Sequence, residues 1–409
     1  MSKPTMLMLL GRNPFAERSG RAVMLRQRIE QARQRFETHI VVVGHASGDA
    51  SDEGLHFLPM ANPAAIALNA LRMSGLPLQT WLYHSAHARA EIAARVRETG
   101  ARAIFIDMLR LAPLAGDVPR SVARLVDYDD LLSERYRLAA SAEDYDVMGF
   151  LARRVGPLAP AARAVAGPLL HEEARRCAAY EHEMLVHADL VLFTSPREAQ
   201  MLAREGVHVL AAPPLLAPHP RTDGVGERLI FLGNLRYAEN IVMLRALADA
   251  VSALEQQGEL PEDVTLDIVG EHAPDLPHAF DAKRFRFIGR IPDLATLAGA
   301  GIFLAPVIGG TGVKLKVLDG LALGCPVVAT GKALEGLSAR ANRDMLVGES
   351  VKDVLRAAIA LRSRTALKAK LAARGRAYLE RAHAPALGDA IAEAMAKAVE
   401  RAGARQETL

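Results

Sequence analysis

A chain of 409 residues has room for roughly two to three domains, and with half its residues apolar and a quarter charged it has the balance of a soluble globular protein. A formal net charge of only +3 excludes the strongly basic surface of a dedicated nucleic-acid binder. Two cysteines, Cys177 and Cys325, exclude a disulfide framework and suit a reducing compartment, so a cytoplasmic location is expected.

The first apolar run, Met6 to Leu10, is too short for a secretory signal and reads as the body of a buried strand, Thr5–Leu10. No stretch approaches the roughly 20 apolar residues of a membrane span. A polar turn, Gly11 to Gly20, leads into a helical pattern over Arg21 to Phe36. A strand is expected over His39–Val43 and a weaker one near Leu55–Pro59. Helices follow over Ala64–Leu71 and Ala86–Thr99, then strands over Ala103–Ile106, ending at Asp107, and Val122–Asp127. A long helix from about Leu170 to His187 precedes the strand Leu190–Phe193. Ahead of that helix and into its start, residues 146–176 mix arginines with apolar residues and carry prolines expected to break the segment into short pieces. It reads either as a lid over the sheet or as a membrane-facing excursion touching anionic lipid.

Periodicity fails between Ala211 and Glu227, a proline-rich stretch with two glycines, which is the expected domain boundary. A second alternation follows: strands at Leu229–Leu232, Thr265–Val269, Phe285–Ile288 and Ile302–Ala305, with a helix over Ile241–Gln257 and a short one over Asp293–Gly299. After Leu337 come a strand near Met345–Val347 and helices over Val351–Arg362, Thr365–Arg381 and Ala386–Gly403. The fold class is therefore α/β, with two Rossmann-like domains facing each other across a cleft. The expected division is a first domain over 1–215, a linker over 216–228, a second domain over 229–382, and a C-terminal helix over 383–409. Ile391, Met395 and Val399 give that helix an apolar face to bury.

The most informative stretch runs from Ala305 to Leu337. A strand end opens into Gly309-Gly310-Thr311-Gly312, and an amphipathic helix carrying Lys314, Lys316 and Asp319 follows. Glycines let backbone amides approach an anion, a helix N-terminus adds its dipole, and lysines add full charge. A carboxylate one to two turns along can accept from ribose hydroxyls. The spacing is neither that of a Walker A loop nor that of a dinucleotide fingerprint. Taken alone, the turn reads equally as a ligand site or as structure, and the lysines as solvated helix positions. Asp127, Asp129 and Asp130 crowd one strand end but point different ways, and the histidines lack zinc-ligand spacing, so no metal is expected.

Four linked motifs carry a resemblance. Phe231 to Asn240, Ile268 to Gly270, Phe287 to Asp293 and then the Ala305–Leu337 stretch occur in the order found in the C-terminal domain of GT-B glycosyltransferases of the retaining group 1, or family 4, type. The N-terminal half resembles them more loosely, through Glu17 to Gly20, Asp127 to Tyr136 and Glu181 to Ser195. The resemblance implies that amides of Gly310, Thr311, Gly312 and Val313 bind a donor diphosphate together with Lys314 and Lys316. It implies that Asp319, shorter than the family's usual glutamate, meets the ribose. It also sets Gly233, Asn234 and Arg236 by the phosphates and Gly270 and Arg290 beside the base. Thr311 stands where relatives carry an acid that contacts the donor sugar. On the acceptor side it implies Ser19, Gly20 and Arg110. Asp107 reads either as a substrate-contacting catalytic residue or as a helix cap, and Lys316 as the catalytic charge stabiliser.

The expected reaction moves a sugar, with retention, from a nucleoside diphosphate sugar to a hydroxyl on a carbohydrate or lipid-linked acceptor. It uses neither metal nor other cofactor, and proceeds at the inner face of the membrane if the acceptor is lipid-borne. Bacterial surface polysaccharide or glycolipid synthesis is the setting the resemblance implies. Two alternatives remain: a nucleotide-sugar epimerase on the same fold, and a non-catalytic partner subunit that keeps the fold.

Overall fold

The computed structural model describes residues 3–16, 19–44, 54–141, 159–204, 206–220 and 224–407. Contacts divide the chain into two units, residues 1–212 with 388–409 and residues 213–387.

The first unit holds seven parallel strands: β1 (Thr5–Leu10), β2 (Glu37–Val43), β3 (Leu55–Leu58), β4 (Ala103–Asp107), β5 (Ala123–Asp129), β6 (Leu190–Phe193) and β7 (Val209–Ala211). Their order is β3-β2-β1-β4-β5-β6-β7, so the chain first builds outward on one side of β1 and then on the other. Strand β1 pairs with both β2 and β4, Leu7 facing His39 on one side and Ile104 on the other. Helices cover both faces of such a sheet, which is why Met6–Leu10 and Ala103–Asp107 are continuous runs of buried residues rather than alternating ones.

The helices of this unit are α1 (Gly20–Arg35), α2 (Pro63–Arg72), α3 (Leu78–Tyr83), α4 (Ala86–Glu98), α5 (Leu132–Ser141), α6 (Ala159–His187) and α7 (Pro196–Leu202). Ser19 starts α1 by accepting from the Ala22 amide, and Ser85 and Ser195 cap α4 and α7 in the same way. Helix α3 and strand β7 escape sequence reading, because six and three residues are too few to show a period. The α3 N-terminus is closed from afar: Glu173 accepts from the amides of Leu78 at 2.7 Å and Gln79 at 3.4 Å.

The expected fragmentation of residues 146–176 is corrected from Ala159 onward. There the chain is one helix with Pro168 inside it. An interior proline costs about 3 kcal/mol, and the stripe Leu170, Cys177, Met184 and Leu185, all buried, gives α6 the packing that offsets it. Residues 146–158 lie outside the described residues, as do Glu17 and Arg18.

The second unit holds β8 (Arg228–Leu232), β9 (Leu266–Val269), β10 (Phe285–Gly289), β11 (Gly301–Ala305), β12 (Val327–Thr330) and β13 (Leu346–Gly348), all parallel, in the order β10-β9-β8-β11-β12-β13. Its helices are α8 (Ala238–Gln256), α9 (Leu315–Ala322), α10 (Val351–Arg362) and α11 (Thr365–Ala382). The chain turns from the β9 side to the β11 side of β8, so the crevice beyond the ends of β8 and β11 is a topological switch point, where open α/β sheets bind ligands. The last helix, α12 (Leu387–Glu407), joins the first unit from Gly388 onward and buries Ile391, Met395 and Ala398.

Candidate functional site

Two glycine contacts shape the β8 side of the second unit's crevice. Gly270 ends β9 at φ +141°, and a Cβ there would lie 1.9 Å from the Gly233 carbonyl oxygen. No side chain fits, so the loops after β8 and β9 touch backbone to backbone. Gly233 in turn packs against Asn240, whose amide carbon lies 3.0 Å from where a Cβ would stand. Asn240, in the first turn of α8, donates from Nδ2 to the Asn234 carbonyl at 2.7 Å. Asn234 shapes the turn itself, its Oδ1 accepting from the Arg236 amide. Arg236 is exposed and paired with Glu271 at 2.6 Å, and Arg290 is exposed beyond β10.

On the other side, β11 runs into the turn Gly309–Val313, where Gly310 and Gly312 adopt φ +82° and +71°, a region only glycine enters cheaply. Gly336, at φ +84°, brings the loop after β12 against this turn, its own Cβ position 3.0 Å from the Gly312 carbonyl carbon. The amides of Gly310, Gly312 and Val313 donate to no acceptor among the described residues. Helix α9 begins at once, and no side chain caps it. The amides of Gly310, Gly312 and Val313, just ahead of the helix start, therefore remain as donors for an anion. The helix is seated by Val317, Leu318 and Leu321, and Gly320 lets it lie directly on the Phe303 ring.

The two lysines differ. Lys314 folds back to donate to the Thr311 carbonyl at 2.5 Å, bracing the turn. Lys316 reaches across the crevice, donating to Asn240 Oδ1 at 2.5 Å with its ammonium 5.3 Å from the centre of the Phe231 ring. No carboxylate stands within ion-pair distance of it among the described residues. Burial pushes its pKa down to about 8, with Glu239 opposing, Lys314 adding to the drop and Asp319 opposing. Asp319, one turn further along α9, is pushed up to about 6 by burial, with Lys316 opposing. Thus Gly233, Asn234, Gly310, Thr311, Gly312, Val313, Lys314, Lys316, Asp319 and Gly270 gather around one crevice.

A pocket of about 680 Å³ lies on the far flank of β11, lined in part by Val307, Thr330, Asn342 and Ser350. Three of its polar side chains are engaged: Thr330 donates to the Val307 carbonyl, Asn342 accepts from the Val347 amide, and Ser350 caps α10. The half-buried ammonium of Lys316 is at the β8–β11 crevice instead.

In the first unit, Asp107 at the end of β4 is fully buried. It accepts from the Gly11 amide at 3.0 Å and from Arg21 at 2.7 Å, and it caps no helix, since Met108 precedes the 3-10 turn Leu109–Ala115. Burial would raise its pKa, but Arg21, Arg110 and the Gly11 amide outweigh this and hold it below the usual carboxylate range. Arg21 also meets Asp129 at 3.1 Å, and Arg28 meets Asp127 at 2.9 Å. Among the described residues no group of three or more His, Cys, Asp or Glu is placed to hold a metal. Asp129 has a left-handed φ of 66° and a carboxyl pushed up to about 6 by burial, against Arg21. Ser19 is a helix cap that also accepts from Arg12 at 3.2 Å, and Gly20 is the first residue of α1. Arg110 points a weak 3.4 Å bond at Gln79 and lies over Tyr83.

Sequence reasoning missed Arg21, Arg28, Asn240 and Gly336. For the arginines a signal existed: Arg21, Leu25, Arg28 and Ala32 repeat at i, i+4, i+7 and i+11, one face of a helix.

Comparison with known proteins gives three results. The model of the family described as Glycosyl transferases group 1 matches residues 226–364. A phosphatidyl-myo-inositol mannosyltransferase of Mycobacterium leprae is 32% identical over 133 residues, 31% of this chain and 33% of that protein, so the match spans about a third of the curated relative's length. Among solved structures, sucrose-phosphate synthase from Thermosynechococcus elongatus aligns with TM-score 0.61 at 16% identity over 98% of this chain and 100% of that one. Anabaena HepE in complex with UDP aligns with TM-score 0.63 at 13% identity over 96% and 100%. At such identities the likeness is one of fold. Among the described residues, no helix is long and apolar enough to cross a membrane.

Proposed function

We propose, from the GT-B fold and the match of residues 226–364 to the group 1 glycosyltransferases, that the chain transfers a sugar, with retention, from a nucleoside diphosphate sugar to a hydroxyl acceptor. One observation carries the reading. A half-buried ammonium without a carboxylate partner, Lys316, stands in the first turn of a helix that no side chain caps, just after the uncommitted amides of Gly310, Gly312 and Val313. Such a set is unfavourable when empty and favourable around a diphosphate.

The departing nucleoside diphosphate gains negative charge as the glycosidic bond breaks. Lys316, the amides of Gly310 to Val313 and the α9 dipole are aimed at that charge, and Lys314 holds the turn that presents the amides. This assigns the charge stabilisation to protein groups alone, so turnover is expected to persist in excess chelator. Asp319 accepts from the ribose hydroxyls, and Gly270 and Arg290 flank the base. Arg236 reaches the phosphates only on leaving Glu271. Thr311 offers the donor sugar a hydroxyl where relatives offer an acid. Ser19, Gly20 and Arg110 form the acceptor side, while Asp107 acts by fixing Arg21 and the Gly11 loop rather than by touching substrate. A lipid-linked or carbohydrate acceptor in surface polysaccharide or glycolipid synthesis is the setting we favour, supported by a relative whose name specifies a phosphatidyl-inositol substrate. That setting would put the protein at the cytoplasmic face of a membrane.

The test is incubation with a panel of nucleoside diphosphate sugars, with and without acceptor glycans and glycolipids. Nucleoside diphosphate release that depends on acceptor supports the transferase. Isomerised nucleotide sugar without acceptor would replace it with an epimerase, and absence of nucleotide binding with a partner subunit.

A further inference from the structure

The link between Asn240 and Lys316 has a consequence for the donor site. Asn240 sits in the first turn of α8 and uses both ends of its amide. Nδ2 donates to the Asn234 carbonyl at 2.7 Å, while Oδ1 accepts from Lys316 at 2.5 Å, 76 residues away. Its side chain also fills the space left by the missing Cβ of Gly233. One residue thus joins the loop after β8 to the helix after β11, the two walls of the switch-point crevice.

We propose that Asn240 is a positioning residue for the donor diphosphate: it aims the Lys316 ammonium into the crevice with a neutral acceptor, so that the full positive charge is left for the ligand. This rests on the donor-site reading given above. A carboxylate at 240 would orient Lys316 equally well, but it would neutralise the charge and face the incoming phosphates with one of its own. An apolar residue would leave the ammonium without an oriented acceptor. A neutral oxygen holds the direction and spares the charge.

The surroundings of Lys316 fit this division of labour. Phe231 from β8 and the Met243 sulfur from α8 are its apolar walls, the latter at 3.6 Å. Glu239 on α8, Asp319 on α9 and Lys314 on the turn are the charged groups that face it, none in ion-pair contact. Burial therefore dominates, and the lysine of the free protein titrates near pH 8. A bound diphosphate restores the ammonium, so affinity is coupled to its protonation.

The experiment measures UDP and GDP affinity by calorimetry between about pH 7 and 9 for the wild-type protein, Asn240→Asp and Asn240→Ala, with thermal melts to confirm folding. The wild type is expected to lose affinity as pH rises through about 8. In Asn240→Asp the neighbouring carboxylate raises the midpoint by about one unit and lowers affinity about tenfold at pH 7. In Asn240→Ala the midpoint falls instead, because the charged form has lost its acceptor. Opposite displacements are what a purely structural asparagine would not produce. Folded variants whose midpoints coincide with the wild type, or move the same way, overturn the positioning role while the donor reading stands. A wild-type protein that binds neither nucleotide overturns both.

Discussion

At Lys316 the fold holds a charge where burial disfavours it, and the consequence is measurable in both stability and turnover. The unfolded chain carries this lysine with its ordinary pKa of 10.5 and the folded one with about 8. Between those values the unfolded state binds the extra proton, so stability from this group is full above about 10.5 and is lost as pH falls through about 8. Asp319 runs the other way, from an ordinary 3.8 to about 6, contributing stability below about 3.8 that is lost as pH rises through about 6. Lys316→Met is expected to flatten the alkaline rise in a series of urea melts. A melt series in which the rise persists would show that the lysine is not its source. In turnover, Lys316→Ala removes a transition-state donor, which typically costs on the order of 2.7–4 kcal/mol. Wild-type kcat with unchanged donor affinity would dismiss the phosphate assignment. Gly270→Ala is a sharper test of the crevice itself. Its Cβ overlaps the Gly233 carbonyl, so the loops must part, at a cost of about 1–3 kcal/mol and with loss of nucleotide binding.

Helix α9 shows how an element's packing serves its chemistry. Its lysine and carboxylate are held by a buried face of Val317, Leu318 and Leu321, and by a glycine where the Phe303 ring passes. A methyl group at 320 would stand 2.7 Å from that ring. Gly320→Ala gains helix propensity of about 1 kcal/mol, but overpacking costs about 1–3 kcal/mol. The expected net result is a destabilised helix that binds nucleotide more weakly, checked by melts and calorimetry. Helix α1 is the counterpart in the first unit. Its Arg21 and Arg28 are buried among Asp107, Asp127 and Asp129. Removing one side of a buried pair strands the other, so Arg21→Ala is expected to cost about 3–5 kcal/mol, far more than loss of any exposed ion pair on the same helix. A loss below about 1 kcal/mol in denaturant melts would mean that the pair is hydrated and weak.

For the whole molecule, the first unit is completed only by the end of the chain. Helix α12 contributes Ile391, Met395 and Ala398, all buried, and pairs Glu393 with Arg35 at 3.1 Å. Each large apolar side chain so buried is worth about 1.5–3 kcal/mol. Truncation after Leu387 should therefore lower the melting of the first unit while nucleotide binding by the second persists, a separation visible by calorimetry. In the intact chain, a nucleoside diphosphate at a hundred times its dissociation constant should add about 2.7 kcal/mol of stability.

Local sequence was sufficient for the elements that advertise themselves locally. The helix Val351–Arg362 and the strand Leu190–Phe193 coincide with their sequence expectations, because periodicity and apolar runs are properties of neighbours in the chain. The glycine turn and its lysines were legible for the same reason, as a motif within about 30 residues. What the sequence could not decide depends on partners far along the chain. Asp107 reads from the sequence as a substrate contact or a cap, and its pairing with Arg21, 86 residues before it, is not legible there. The burial of Arg21 and Arg28 in α1 depends on three carboxylates at the ends of β4 and β5, far along the chain. Asn240 was one letter of a motif until Lys316 arrived from 76 residues away. By itself the sequence determined most of the strands and helices and the glycine-rich turn, since these follow from propensity, periodicity and glycine's freedom. Only the tertiary structure decided which charges are buried and which are paired, because those follow from which strand ends the topology brings together.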